Sequence, residues 1–271
     1  MRDSEMLEGR RPEDRPAARR RTESRQPGPH QPRVLAIFAH PDDETFICGG
    51  TMARLALEGA RITLVTATLG EMGRRLGQPA YATRETLPVL REKELREACG
   101  ALGIADLRLL GLRDKTVDYY DPTDLAGRIR AIMRDVSPDV AITFHEAIGG
   151  HPDHCAIGRA ATLAWEAWRS EEEKRAPGEK RAAEARLYYV LWHEYADQLK
   201  KVEQPQDRVT SVRVQGEAAE ARVRAFRAHR TQSQMIEWLW DDAKAREKLI
   251  GQEYLLQGSG PARPGETWVL P

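Results

Sequence analysis

From Val34 onward, short and nearly unbroken apolar runs alternate with longer stretches whose apolar residues recur at helical spacing. The runs are residues 34–40, 62–68, 107–112, 139–144 and 187–192. A strand that is apolar on both faces has to be covered on both, as the strands of parallel sheets are. Helices are expected between the runs: residues 51–58, closed by Gly59; 83–102, interrupted near Pro88 and closed by Gly103; 124–136; and about 154–168. Such alternation predicts an α/β fold, a Rossmann-like, doubly wound and mostly parallel sheet with helices on both faces and right-handed crossovers. In the strand order 3-2-1-4-5, the switch point falls between the first and fourth strands. Ligands of such sheets bind there, at the carboxyl ends of the strands. Further on, residues 209–214 alternate apolar and polar side chains, which suits an edge strand, residues 216–240 read as a helix, and residues 267–270 as a short strand.

Residues 1–33 are a different kind of sequence, rich in Arg and Pro and almost without large apolar side chains. They bury too little to offset the entropy of ordering, so a disordered tail is expected, followed by one domain over 34–271. Residues 170–184, with Glu171-Glu172-Glu173 and Pro177-Gly178, read as a solvated insertion in that domain. The formal net charge of +0 gives no reason to expect nucleic acid or an anionic membrane as partner. No apolar run approaches the roughly 18 residues of a membrane helix, and the N-terminus has no apolar core of a secretory signal. Cys48, Cys99 and Cys155 are too scattered for a disulfide framework, which points to a reducing, cytoplasmic setting. The glycine-rich dinucleotide and phosphate loops and the serine-hydrolase elbow are all missing.

Two polar clusters remain, one after the first strand and one after the fourth. The first is Ala39-His40-Pro41-Asp42-Asp43-Glu44 and the second His151-Pro152-Asp153-His154. Neutral imidazole and carboxylate are zinc ligands, and a catalytic zinc takes three protein ligands and leaves a position for water. His40 and Asp43, three apart in a turn, can face one ion, with Asp42 placed to hold the water. One of His151 and His154 completes a His/His/Asp set. The other would sit beside the metal to stabilise or protonate a reacting group, oriented by Asp153. Paired imidazoles favour zinc or iron over hard cations. Either cluster alone is also what a helix cap looks like. Their joint position at the switch point is what argues for a site. Cys48 and Cys155 lie among apolar neighbours and read as packing residues.

These motifs resemble the LmbE/PIG-L family of zinc-dependent de-N-acetylases. Further matches are Cys48-Gly49-Gly50-Thr51, Thr68-Leu69-Gly70-Glu71 with Gly73, Arg91 with Glu94, Leu110-Gly111-Leu112-Arg113-Asp114, and a late echo in His229-Arg230-Thr231-Gln232. The resemblance implies a hydrolase that takes the N-acetyl group from an N-acetylglucosaminyl-type small molecule, with one zinc ion per chain. It implies His40, Asp43 and His154 as metal ligands, Asp42 as general base, and His151 as stabiliser of the reacting carbonyl or acid to the leaving amine. Glu71, Arg91 and Asp114 match positions that contact the sugar. Assembly as a trimer or hexamer is also implied. The approach to the second motif, His145 to Gly150, lacks the proline often found there, which suggests a different pocket rim. Three rivals are an amidase of the same fold acting on a larger sugar-thiol conjugate, a non-catalytic zinc protein that binds sugars, and an interaction module built on the Arg-rich tail.

Overall fold

The structure, a computed structural model, describes residues 31–77, 79–175, 184–192, 194–259 and 269–270. The tail expected over 1–33 lies outside them up to residue 30, as does most of the segment 170–184 beyond residue 175.

Seven strands form one sheet in the order β3-β2-β1-β4-β5-β7-β6. β1 (Arg33–Phe38), β2 (Arg61–Thr68), β3 (Asp106–Leu112), β4 (Val140–Thr143) and β5 (Arg186–Leu191) follow the predicted 3-2-1-4-5 order and pair in parallel. Central β1 pairs Val34 with both Ile62 and Val140, and Ala36 with both Leu64 and Ile142. Val34 to Phe38 are fully buried, which is why that run carries no polar side chain. β6 (Val209–Val214) is the expected edge strand. Between it and β5 lies β7 (Gly251–Gln257), antiparallel to both, which the sequence reading did not anticipate. Only Tyr254-Leu255-Leu256 marks it as apolar, too short a run to stand out. The strand expected over 267–270 lies partly outside the described residues, and Val269 and Leu270 are not in a strand.

One face of the sheet carries α1 (Asp43–Leu57), α2 (Leu87–Leu102) and later α6 (Gly216–Ala228), which pack on one another. The α3 (Pro122–Val136) and α4 (Pro152–Glu173) helices form a second packed pair. A Cβ on Gly158 would run into the Phe144 carbonyl, so this glycine lets α4 lie close against the end of β4. α4 continues past the expected end at residue 168, so Ser170 to Glu173 are helical.

α1 starts at Asp43 and not at Thr51, so the first polar cluster opens the helix. Its carboxylates suit that end, where unpaired N–H groups and the helix dipole favour negative charge. The helix breaks at Cys48 (φ −141°, ψ 27°). Glu253 of β7 fills the break. Its Oε1 accepts from Gly50 N–H at 2.9 Å, and its Oε2 accepts from the backbone and hydroxyl of Thr51, each at 2.6 Å. Arg222 of α6 completes the buried group at 3.2 Å. Glu253→Ala would leave the buried Arg222 charge with backbone carbonyls but no counter-charge, and is expected to cost about 3–5 kcal/mol. A chemical denaturation curve checks this.

The stretch 216–240 is not one helix. With α5 at Tyr195–Lys201 before it, α6 ends at Ala228, α7 occupies only Arg230–Ser233, Glu237–Trp240 is a 3-10 turn, and α8 follows at Asp242–Leu249. His229 sits at the break with φ −77° and ψ 55°, outside the helical range.

Candidate metal centre

β1 ends at Phe38 and the chain turns directly into α1. Asp43 Oδ2 accepts from the backbone N–H groups of Ala39 (3.1 Å) and His40 (2.8 Å), so the carboxylate closes the turn that carries His40. The second cluster opens α4, with His151 as its cap residue and Pro152 in the first turn. The predicted His40, Asp43 and His154 meet at the carboxyl end of β1 and the loop after β4.

Hydrogen bonds settle the ring tautomers. His154 Nδ1 lies 2.9 Å from Gly149 O, which can only accept, so Nδ1 carries the proton and Nε2 a lone pair. Phe144 stacks on the same ring at 3.9 Å between centroids and holds its plane. His40 Nε2 lies 3.1 Å from Asp153 Oδ2 and 3.2 Å from Asp114 Oδ1, so it carries the proton and Nδ1 the lone pair. In the neutral rings that can bind a metal, the two lone pairs face each other, with His40 Nδ1 3.2 Å from His154 Nε2. Asp43 sits across from both, Oδ1 at 3.2 Å from His154 and Oδ2 at 3.6 Å from His40.

Lone pairs and a carboxylate gathered this closely repel unless a proton or a metal ion lies between them. Zinc ligands at 2.0–2.1 Å in a tetrahedron are about 3.3–3.4 Å apart. His154 Nε2 lies 3.2 Å from both His40 Nδ1 and Asp43 Oδ1, and the other Asp43 oxygen is 3.6 Å from His40 Nδ1, close to that spacing, so the residues present fit a four-coordinate divalent ion. His40, His151 and His154 also offer ring nitrogens within 4.8 Å of one another, as do His40, Asp114 and Asp153 with their own donor atoms. Cys48 is buried and Cys155 half-buried, and neither belongs to these groups.

The charges follow the same geometry. Before a metal binds, burial works against a charged His40, but the Asp114, Asp153 and Asp43 carboxylates push its pKa up to about 12, so Nδ1 must give up a proton to an incoming ion. Burial likewise opposes charge on Asp43, yet His154 and His40 hold it well below the usual carboxylate range. His154 is raised, Asp43 outweighing burial. His151 is lowered, by burial first and then by the charges of His40 and His154. In Asp42, burial raises the pKa to about 6, with Arg91 opposing and Asp43 and Glu44 adding to the rise.

The Asp42 side chain neither joins the ligand cluster nor caps α1, although the residue stands at the cap position. It holds φ 109°, and its Oδ2 accepts from Arg91 Nη2 at 3.0 Å. Arg91 is 3% exposed and also donates to Gly70 O (2.8 Å) and to Pro41 O. A Cβ on Gly70 would collide with this guanidinium, which explains a glycine in that loop. Asp114 reaches His40 and accepts from Met72 N–H at 2.9 Å, while Glu71 accepts from Asp114 N–H at 3.0 Å. The three residues expected at the sugar are thus engaged with the protein's own loops and with the site residues. The structure also differs on Asp153. Its carboxylate faces His40 and accepts from Lys115 and Val117 N–H, and only its backbone N–H, donating to Nδ1 at 3.1 Å, holds His151. His145 accepts from Ala147 N–H and packs on Tyr189 at 4.8 Å, shaping the loop.

One pair was not foreseen. Glu44 and His229 are both fully buried, 2.7 Å apart between Oε1 and Nε2, directly beneath the first cluster. Only the late His229-Arg230-Thr231-Gln232 motif hinted at it.

A doubly wound sheet with an imidazole–carboxylate cluster and a spare carboxylate at its switch point defines a hydrolase with a candidate metal centre. Residues 35–165 match the PIG-L family, GlcNAc-PI de-N-acetylase. The chain is 37% identical over 218 residues to a probable N-acetyl-alpha-D-glucosaminyl L-malate deacetylase 2 of Bacillus subtilis, covering 80% of this chain and 91% of that one. A Bacillus cereus protein of the same description is 48% identical over 131 residues, a match spanning 48% of this chain and 60% of that protein. In structure it resembles an N,N'-diacetylchitobiose deacetylase from Pyrococcus horikoshii, with a TM-score of 0.61, 21% identity and 83% of each chain covered. The chain belongs to the PIG-L family of de-N-acetylases. That membership makes it a hydrolase of amide bonds.

Proposed function

We propose that this chain is a zinc-dependent deacetylase that removes the N-acetyl group of an N-acetylglucosaminyl-type small molecule and releases acetate and a free amine. The observation that carries it is the convergence of His40 Nδ1, His154 Nε2 and Asp43 at ligand spacing, with the Asp42 carboxylate beside them and outside the set. His40, Asp43 and His154 would hold the ion. When bound, zinc polarises an acetyl carbonyl and lowers the pKa of water toward about 7.

The chain's own residues account for the remaining roles. Asp42, tied to Arg91 on one oxygen, takes the proton of the water that attacks the carbonyl carbon. His151 accepts from Asp153 N–H through Nδ1, so its Nε2 carries a proton and donates to the developing oxyanion. As the C–N bond breaks, the proton held by Asp42 passes to the nitrogen, and the amine leaves. Asp114 and Asp153 fix the tautomer of His40, as carboxylates behind a metal-bound imidazole do. The relatives' N-acetylglucosaminyl malate supports an amino-sugar substrate. Among the described residues no helix is long and apolar enough to cross a membrane, and the free thiols of Cys48, Cys99 and Cys155 support a reducing, cytoplasmic setting.

The test is metal content measured beside acetate release from a panel of N-acetylglucosaminyl compounds. About one zinc per chain together with acetate release is expected. Zinc without acetate would move the proposal to a larger amide, and a folded, zinc-supplemented protein without bound metal would overturn it.

A further inference from the structure

Asp42 has a backbone that a residue with a side chain seldom holds. Its φ of 109° lies in the region favoured by glycine, and such a conformation persists only where the surroundings over-determine it. Both ends of the Pro41–Asp42 peptide are held. Pro41 O accepts from Arg91 Nη2, while Asp42 N–H donates to Glu44 Oε2 at 3.0 Å. Turning that peptide over would lose both bonds, and as Asp42 relaxes from φ 109° the direction of its Cα–Cβ bond would shift relative to Arg91.

Glu44 can serve only if it is itself fixed. It is fully buried, and its second oxygen accepts from Thr45 Oγ1 and from His229 Nε2, each at 2.7 Å. Thr45 is the next residue along and moves with the same turn. His229 comes from the break between α6 and α7, beyond the family-matched residues 35–165, and is anchored by Gln232 and Ser233 N–H donating to its carbonyl, both at 2.9 Å. It lies edge-on to Phe46 at 6.4 Å. It is the contact that ties Glu44 to a separate part of the fold.

We propose that His229 is a positioning residue for Asp42: acting through Glu44, it locks the Pro41–Asp42 peptide in the one orientation that presents the Asp42 carboxylate to the metal centre. This rests on the reading of Asp42 as the base. It also gives the break in the predicted 216–240 helix a purpose, because a continuous helix would not turn the His229 ring to Glu44.

The experiment compares full-length, zinc-loaded wild type, His229→Leu and His229→Gln. Zinc content, melting temperature, kcat and KM for acetate release are measured, and the crystal structure of His229→Leu is determined. In His229→Leu we expect wild-type zinc content, a KM within about twofold, a kcat about 10–100-fold lower, and the Pro41–Asp42 peptide turned over. Glutamine can still donate to Glu44 and should recover most of the kcat. A wild-type kcat in His229→Leu, a joint loss of zinc and kcat, or a glutamine variant as slow as the leucine one would each overturn the role. If His229→Leu does not fold, His229→Asn replaces it, being polar but too short to reach Glu44. Should the wild type itself release no acetate, the deacetylase reading fails. The φ of residue 42 in the variant crystal then decides this inference alone, and a value still near that of the wild type overturns it.

Discussion

Asp42→Ala is expected to bind zinc as the wild type does and to release acetate about 10²–10⁴-fold more slowly, the range for removing a general acid–base group. The two halves of this expectation come from different atoms. His40, Asp43 and His154 supply the donor set without help from Asp42, whose carboxylate points to Arg91 instead. Metal retention therefore tests whether the ligand assignment stops at three residues. The loss of turnover tests whether the fourth carboxylate moves the proton. Asp42→Asn keeps the shape and the Arg91 contact while removing the basic oxygen, so it should be nearly as slow as the alanine variant. Activity close to wild type in both would remove Asp42 from the mechanism.

His154→Ala should show the opposite division. It removes a donor outright, and a lost ligand should weaken zinc by more than the roughly 100-fold that marks the loss of an outer partner. Acetate release should fall with it and return only in part at high zinc. The ring also packs on Phe144 and donates to Gly149 O, so a lower melting temperature is expected as well. His154→Asn can keep the bond to Gly149 and separates the two effects. Unchanged zinc content in the alanine variant would mean that the centre uses other donors, with the His151 imidazole already in place 5.3 Å from the His154 ring.

The core of the fold was legible because its signal is chemical and local. Strands buried on both faces must be apolar throughout, so β1 to β5 and their order could be read from runs such as Val34 to Phe38. β7 could not, because its first half is Gly251-Gln252-Glu253 and its burial comes from neighbours far away in sequence. The start of α1 was hidden in the polar cluster, where carboxylates facing a site look the same as carboxylates in a loop. The break at His229 escaped because apolar periodicity continues through it, while the cause is one buried ion pair made 185 residues away. At the site, residue types and spacing identified the donors. Directions were beyond reach: nothing in the order of residues says that Asp153 faces His40 or that Arg91 lies under Asp42.

β7 is the latest of the described strands in the chain, yet it lies inside the sheet, with β5 on one side and β6 on the other. All the candidate ligands have been made once residue 154 leaves the ribosome. At about 5–20 residues per second, Glu253 follows several seconds later. Until then β5 presents an open edge, β6 has no partner, and the N–H groups of Gly50 and Thr51 wait for the carboxylate that fastens α1. A nascent chain of this protein would thus carry a complete set of donor side chains on an unfastened helix, and its ability to hold a metal ion should appear only once β7 has been made, as a step set by Glu253 rather than by the ligands.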